Sequence, residues 1–162
     1  MDRFAELMVI TSVHPFHAID DGRWAAELNG PERIKTTYAF KSLIDANTML
    51  AFGSDWPVAP GSPLDGLYAA VTRRTLDDKN PNGWIPEQKI TVEQGLLAYT
   101  KNAAYASFDE KIKGTLETGK LANFIIFSDD LRNIDLNGIR EVKIIATYLG
   151  GKKVCQNSQA QN

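Results

Sequence analysis

The chain has 162 residues, of which 43% are hydrophobic and 23% are charged. This length suits one domain with its own core, but it falls short of the roughly 250 residues of a complete eight-stranded α/β barrel. The 18 basic and 20 acidic side chains give a formal charge of −2 and are mixed along the chain. This balance argues against nucleic acid or a charged membrane surface as a partner.

The single cysteine and the first residues indicate where the protein works. Cys155 has no second cysteine with which to form an intrachain disulfide, which favours a reducing compartment. The first ten residues carry one arginine and only a short apolar run, which is not the pattern of a signal peptide. No apolar stretch approaches the roughly 20 residues of a membrane span. We therefore predict a soluble, cytoplasmic protein.

The first predicted strand, residues 8–13, is followed by a loop with two histidines. Proline and glycine in residues 14–22 favour the loop. His14 and His17 flank a proline at a spacing of three, so a loop could bring both imidazoles to one site, whereas the proline disfavours a helix interior. The alternative is that they only pack within the loop. Asp20 lies in an Asp-Asp-Gly turn signal and is a candidate to line the same site as the two histidines.

A second strand–helix unit carries the most distinctive acid in the chain. We predict a short helical segment at 24–28, a long helix at 31–46, a strand at 49–52 and a helix at 64–74. This order predicts parallel βα units. Asp55 then lies at the carboxyl end of a strand, where α/β barrels assemble their active sites. The alternative is that Asp55 only caps a turn.

Three side chains near these elements are assigned structural roles rather than catalytic ones. Trp56 follows Asp55 directly and is predicted to form an apolar wall beside it. Arg73 and Arg74 end the predicted helix at 64–74. We interpret both as surface residues that favour the helix dipole rather than as an anion clamp.

After residue 113 the pattern changes from strand–helix units to short strands. A helix at 91–106 comes first, begun by a Thr91–Gln94 capping pattern. The strands, of which the last two form a hairpin, are predicted at 123–127, 141–149 and 152–155. We expect this sheet and the helix to share one core, made of Leu96, Leu97, Phe124, Ile126, Ile144 and Tyr148. Residues 156–162 are polar and are predicted to be disordered.

Four blocks of sequence, in their order and spacing, resemble one known family. They are residues 49–58, 97–104, 113–127 and 147–154. Together they resemble the C-terminal third of the metal-dependent amidohydrolase superfamily, closest to the branch of N-substituted formamide deformylases. The resemblance implies an α/β fragment of a larger fold. Residues 1–112 would be the last two strand–helix units of a metallo-hydrolase (β/α)8 barrel, and residues 113–155 would be C-terminal strands of a small antiparallel β-sandwich.

The resemblance also implies roles for residues of this chain. In the family, the barrel holds one or two divalent metals, and an aspartate after the last strand binds metal and accepts a proton from the hydrolytic water. Asp55 stands at that position. Zinc is the first metal expected there, and iron is the second. The family's metal-binding histidines come from earlier strands. His14 and His17, with Trp56 and Asp20, are therefore expected to line the substrate pocket.

Two functions of different classes follow from these observations. The first is a metal-dependent hydrolase of C–N bonds in small amide-type molecules, present here as a C-terminal fragment that is inactive alone because the family's earlier histidines are missing. The second is a non-catalytic remnant or interaction module that binds no metal. Two parallel strands without barrel neighbours have open edges, so we expect a homo-oligomer.

Overall fold

The structure is a computed structural model that describes residues 1–156. It is an α/β fold with a small antiparallel sheet. The helices are α1 (Asp2–Glu6), α2 (Phe16–Asp21), α3 (Ala25–Arg33), α4 (Phe40–Asp45), α5 (Pro63–Thr72), α6 (Val92–Tyr99) and α7 (Lys101–Ala106). The strands are β1 (Thr11–Val13), β2 (Leu50–Phe52), β3 (Phe124–Phe127), β4 (Ile144–Leu149) and β5 (Lys152–Gln156). Short 3-10 turns occupy Ile34–Thr36, Pro86–Gln88 and Leu136–Glu141.

Strands β1 and β2 are parallel neighbours, as predicted. Thr11 pairs with Leu50 and Val13 pairs with Phe52. All three residues of β2 are buried, and helices α4, α6 and α7 pack against this strand. Asn102 of α7 donates a hydrogen bond from its side-chain amide to the Leu50 carbonyl oxygen at 2.9 Å. The apolar run of β2 is therefore explained by cover from several helices.

Strands β3, β4 and β5 form the antiparallel sheet in that order. Phe124 of β3 lies opposite Tyr148 of β4, and their rings stack with centroids 4.5 Å apart. The segment between β3 and β4 ties the sheet to the rest of the chain. Its residues Leu131, Ile139 and Val142 are buried in the same apolar core as the helices.

The sheet does not pack directly on helix α6, so the predicted shared core is wrong. A cavity of about 620 Å³ separates them, and Leu96, Phe124 and Tyr148 line it. Leu97 does not line this cavity and is 48% exposed. Ile126 and Ile144 are also exposed. Only one face of α6 can face the sheet, and that face carries Leu96 rather than its neighbour.

Both long predicted helices are broken. In the segment 31–46, Tyr38 has a positive φ angle of 51°, and α4 begins only at Phe40. Gly30, with a φ of 72°, lies before this segment and kinks α3. In the segment 91–106, Thr100 has non-helical angles and separates α6 from α7. The hydroxyl of Thr100 donates to the Leu96 carbonyl oxygen at 2.7 Å, which is a local bond that competes with helix continuation.

Other boundaries also differ from the prediction. The first strand begins at Thr11 instead of residue 8, because Met8 has a positive φ of 52° and ends the turn after α1. The capping box at Thr91 and Gln94 is confirmed by both of its hydrogen bonds. Gln156, assigned to the disordered tail, belongs to β5. The rest of that tail, residues 157–162, lies outside the described residues. Among the helices of residues 1–156, none has the length and apolarity that a membrane span requires.

Candidate metal centre

The ends of β1 and β2 lie side by side, and the candidate site forms directly beyond them. The backbone N–H of Gly53 donates to the Val13 carbonyl oxygen at 3.1 Å, which extends the pairing one residue past β2. His14 is the first residue after β1, and Asp55 is the third after β2. Parallel pairing therefore brings the carboxyl ends of both strands, with their polar side chains, to one edge.

A short helix, where a loop was predicted, brings the second histidine to the same place. Pro15 precedes α2, and His17 lies in its first turn. Proline is favourable there because its missing N–H would have no partner inside the helix. The N–H of His17 donates to the carbonyl oxygen of His14 at 3.3 Å, and the two ring centroids are 6.2 Å apart. The pair therefore converges, as its spacing suggested, through a helical turn.

Both imidazoles face one carboxylate oxygen. Nε2 of His17 lies 2.9 Å from Oδ2 of Asp55, and Nδ1 of His14 lies 3.7 Å from the same atom. One ligand atom from each of the three residues lies within 4.8 Å of the others. The His17 side chain is 21% exposed and the Asp55 side chain is 41% exposed. The cluster is therefore compact and accessible from solvent.

The backbone around Asp55 fixes its direction. Asp55 has a φ of 61°, a left-handed conformation that aspartate tolerates better than most residues. Its carbonyl oxygen accepts hydrogen bonds from the N–H groups of Val58 at 2.8 Å and Ala59 at 3.3 Å. The backbone turn thereby holds the carboxylate toward the two histidines.

Gly53 leaves room for one of the imidazoles. A Cβ atom at this position would lie 3.0 Å from Cδ2 and 3.1 Å from Nε2 of His14. Such contacts are tighter than ordinary van der Waals packing, so any side chain would push the ring away. Gly53 therefore positions His14 as well as forming the turn.

The chemistry of the three donors fits a divalent transition metal. Two imidazole nitrogens and one carboxylate oxygen are ligands that zinc and iron both use. Catalytic zinc sites commonly have three protein ligands and keep one position open for water. The side chains of His14, His17 and Asp55 all retain access to solvent, so water and a small molecule can reach the cluster.

Two predicted pocket residues make their contacts elsewhere. Asp20 forms an ion pair with Arg23, three residues along the chain. Trp56 is 73% exposed, and its ring lies against Gly61. Of the predicted site residues, the structure therefore joins Asp55, His14 and His17 into one cluster.

The interpretation of Arg73 as a surface residue is wrong. Its side chain is completely buried, whereas Arg74 pairs with Asp78 at the surface. The spacing of apolar residues gives no signal of this burial, because Ala69 and Ala70, four residues before Arg73 and Arg74, are equally buried. Arg73 also lies just beyond the last residue of α5, with a left-handed φ of 53°.

Comparisons with known proteins show the family to which this chain belongs. An uncharacterized metal-dependent hydrolase from Pyrococcus horikoshii OT3 is similar to this chain with a TM-score of 0.74 and 31% identity, over 84% of this chain and 27% of that one. The model of the amidohydrolase family matches residues 1–155. The chain therefore belongs to the amidohydrolase family, as the four sequence blocks indicated.

Curated relatives agree with this family and show how much of them the chain spans. Protein LONG AFTER FAR-RED 3 of Arabidopsis thaliana is 39% identical over 154 residues, which are 94% of this chain and 26% of the relative. N-substituted formamide deformylase of Arthrobacter pascens is 28% identical over 153 residues, which are 92% of this chain and 27% of the relative. The chain thus spans about a quarter of the length of these relatives.

Proposed function

We propose that this chain carries the metal-binding carboxylate and general base of a hydrolase that cleaves C–N bonds in small amide-type molecules. The observation that carries the proposal is the convergence of His14, His17 and Asp55 at the ends of two parallel strands. Membership of the amidohydrolase family supports hydrolysis. The relative that is named as an N-substituted formamide deformylase supports an amide-type substrate.

Each residue of the cluster has a role in this proposal. A divalent ion held by these residues, zinc or else iron, would lower the pKa of its bound water toward ~7. The carboxylate of Asp55 would help to hold the ion and would accept the proton of the hydrolytic water. Because both imidazoles face Oδ2 of this carboxylate, we assign His14 and His17 to the ion as well. The substrate-pocket role expected from the family resemblance is the alternative that the experiment decides.

We extend the proposal to the larger fold. In it, β1 and β2 are the last two strands of a metallo-hydrolase barrel, and β3 to β5 are strands of a β-sandwich. The parallel pairing of β1 with β2 and the antiparallel pairing of the other three strands support this assignment. Turnover then belongs to the longer protein. In this chain alone the family's earlier histidines are missing and Trp56 is 73% exposed, so we expect zinc binding with little hydrolysis.

Zinc titration of the purified chain and three variants tests the proposal. The variants are His14→Ala, His17→Ala and Asp55→Asn, and Asp20→Asn is a matched control that removes a nearby carboxylate outside the cluster. We expect one zinc per chain. Each cluster variant should weaken zinc binding by more than about tenfold, because even outer-shell partners have effects of that size. The control should bind zinc like the unmutated chain.

Three other results would change or end the proposal. Zinc binding that Asp20→Asn and Asp55→Asn weaken equally would mean diffuse attraction by surface carboxylates. Zinc binding that depends on Asp55 but not on the histidines would return His14 and His17 to the substrate pocket. A chain that binds no zinc or iron would leave the non-catalytic interaction module as the function.

We also propose that the protein works in the cytoplasm as a homo-oligomer. Among residues 1–156, β1 and β2 each pair with a single strand, and open strand edges favour association. Large apolar side chains that include Leu116 and Leu149 are exposed along the cavity beside the sheet. The exposed free thiol of Cys155 supports a reducing compartment. Light scattering after gel filtration at low micromolar concentration tests the assembly, and a monomer mass would contradict it.

A further inference from the structure

A completely buried arginine stands at the end of helix α5. Within residues 1–156, the guanidinium of Arg73 hydrogen-bonds only to backbone carbonyl oxygens, and its Nη2 has no partner. Nε donates to the Trp84 carbonyl oxygen at 2.7 Å, and Nη1 donates to the Tyr38 carbonyl oxygen at 3.0 Å. Burial lowers the pKa of Arg73 to about 10, so the group is still a cation at neutral pH. Burying a cation without a counter-ion costs free energy of folding, so the other interactions of Arg73 must offset this cost.

Arg73 holds three segments of the chain together. Its own carbonyl oxygen accepts a hydrogen bond from the Trp84 N–H at 2.7 Å, so the two residues are joined in both directions. The guanidinium carbon lies 5.1 Å from the ring centroid of Trp84 and 5.6 Å from that of Phe40, which are cation–π distances. The end of α5, the turn around Tyr38 and the loop before Trp84 therefore share one charged centre.

Two of these segments touch the carboxyl end of α2. The Tyr38 hydroxyl donates a hydrogen bond to the carboxylate of Asp21, the last residue of α2. Gly22 follows, and a Cβ atom there would lie 2.9 Å from Cδ2 of Trp84 and 2.9 Å from Cγ2 of Thr75. The end of α2 is thus pressed against residues that Arg73 holds in place.

A backbone bond and burial complete the fixation of α2. The N–H of Leu76 donates to the carbonyl oxygen of Ile19 at 3.1 Å. Ala18 and Ile19 are both completely buried. Since α2 has only six residues, a helix held at its last turn also fixes the direction of His17 in its first turn.

We propose that Arg73 is a positioning residue of the candidate metal centre. Through the backbone of Tyr38 and Trp84 it fixes the carboxyl end of α2, and α2 in turn holds Nε2 of His17 2.9 Å from Oδ2 of Asp55. The expected effect on metal affinity rests on the proposed function. The expected effect on α2 rests on the packing alone, which allows the two to be tested separately.

The test uses the full 162-residue chain and three variants. Arg73→Met keeps an unbranched apolar stem but removes the charge and both hydrogen bonds. Tyr38→Phe removes only the bond to Asp21 and leaves the backbone carbonyl that Arg73 binds. Arg74→Met is the matched control, because Arg74 bonds to Asn137 and Asp78, away from α2. The readouts are zinc affinity by competition with a chromophoric chelator, amide exchange of residues 16–21, and the nuclear Overhauser contact between the His17 ring and residue 55.

We expect Arg73→Met to weaken zinc binding about tenfold, the lower end of the effect of outer-shell partners. It should also accelerate exchange in α2 and weaken the contact between His17 and residue 55. Tyr38→Phe should act in the same direction by a smaller factor, and Arg74→Met should stay within about twofold. Arg73→Lys should rescue little, because an ammonium group cannot span both carbonyl oxygens.

Distinct results overturn this inference and the proposed function. If Tyr38→Phe and Arg73→Met fold and match the unmutated chain in zinc affinity and in α2 exchange, Arg73 does not position His17. If Arg73→Met fails to fold, Tyr38→Phe decides by the same readouts. If the unmutated chain binds no zinc, the metal centre fails, and the exchange and Overhauser measurements alone confirm or refute the positioning role.

Discussion

The two sheets of this protein differ in how much of each is covered by other elements. All three residues of β2 are buried between helices, whereas all five residues of β5 are exposed. The polar cluster stands at the end of the sheet that contains the buried strand β2, whereas the antiparallel sheet borders an apolar cavity. A strand that is covered by helices, as β2 is, can hold a side chain beyond its end in one direction. The direction of the side chains in the candidate metal centre therefore depends on the packing around β1 and β2.

The largest expected difference concerns two phenylalanines, one in each region. Phe40 is 1% exposed and its ring lies 5.9 Å from that of Phe52, so Phe40→Ala should lower the free energy of unfolding by about 3–5 kcal/mol. Phe124 is half-buried beside the cavity, so Phe124→Ala should cost only about 1–2 kcal/mol. Urea unfolding measures both. Equal costs would contradict the contrast between the regions.

The next effect tests the contact between helices α5 and α6. A Cβ atom on Gly66 would lie 1.8 Å from the hydroxyl oxygen of Tyr99 and 3.0 Å from its Cζ atom. Gly66→Ala should therefore force Tyr99 out of place and cost about 1–3 kcal/mol. Gly138→Ala is the control, since nothing lies within 4 Å of its Cβ position. Equal unfolding midpoints for the two variants would show that α5 and α6 are not in close contact.

A smaller effect tests whether Gly53 positions His14 in the candidate metal centre. Gly53→Ala places a methyl group 3.0 Å from the His14 ring, which must shift by a few tenths of an ångström. We expect zinc affinity to fall roughly threefold to tenfold, which corresponds to about 1 kcal/mol, while the unfolding midpoint changes little. Isothermal titration with zinc measures this. An unchanged affinity would remove His14 from the set of metal ligands.

The smallest expected effect lies at the surface, between the two regions. Hydrogen bonds from Arg132 lower the pKa of Asp130 from its ordinary 3.8 to about 2. A lowered pKa in the folded state gives a stabilisation that is present above about pH 4 and is lost as the pH falls toward 2. The stability difference between the unmutated chain and Asp130→Asn should therefore shrink over this range. Because the pair is exposed, the change should be small. Parallel pH profiles of unfolding would contradict it.

Sequence reasoning predicted the parallel unit and the position of Asp55, because apolar runs and turn residues are local signals. Asp55 follows Phe52 at the end of β2, as the run before it indicated. The breaks at Tyr38 and Thr100 were missed, because they depend on a positive φ in one case and a local side-chain bond in the other. The buried state of Arg73 was missed because charge usually indicates a surface position.

For the antiparallel sheet, too, local structure could be predicted from the sequence but packing could not. Its strands and their hairpin were predicted from turn residues and β-branched residues, and the structure has them. The distance between the sheet and α6 was not predicted. A pattern of apolar residues shows that one face of an element is apolar, but it does not show whether another element packs directly against that face. Here Leu96 of α6 and Phe124 of β3 line a cavity between the two elements.

Anomalous diffraction at the zinc absorption edge, from crystals of the chain grown with zinc, tests the central claim most directly. The account predicts one strong peak bound by the imidazole nitrogens of His14 and His17 and by the carboxylate of Asp55. Crystals of Asp55→Asn grown in the same way should lack this peak. The claim is contradicted if His17 stays hydrogen-bonded to Asp55 with no zinc between them, or if the only zinc peaks lie at other surface residues.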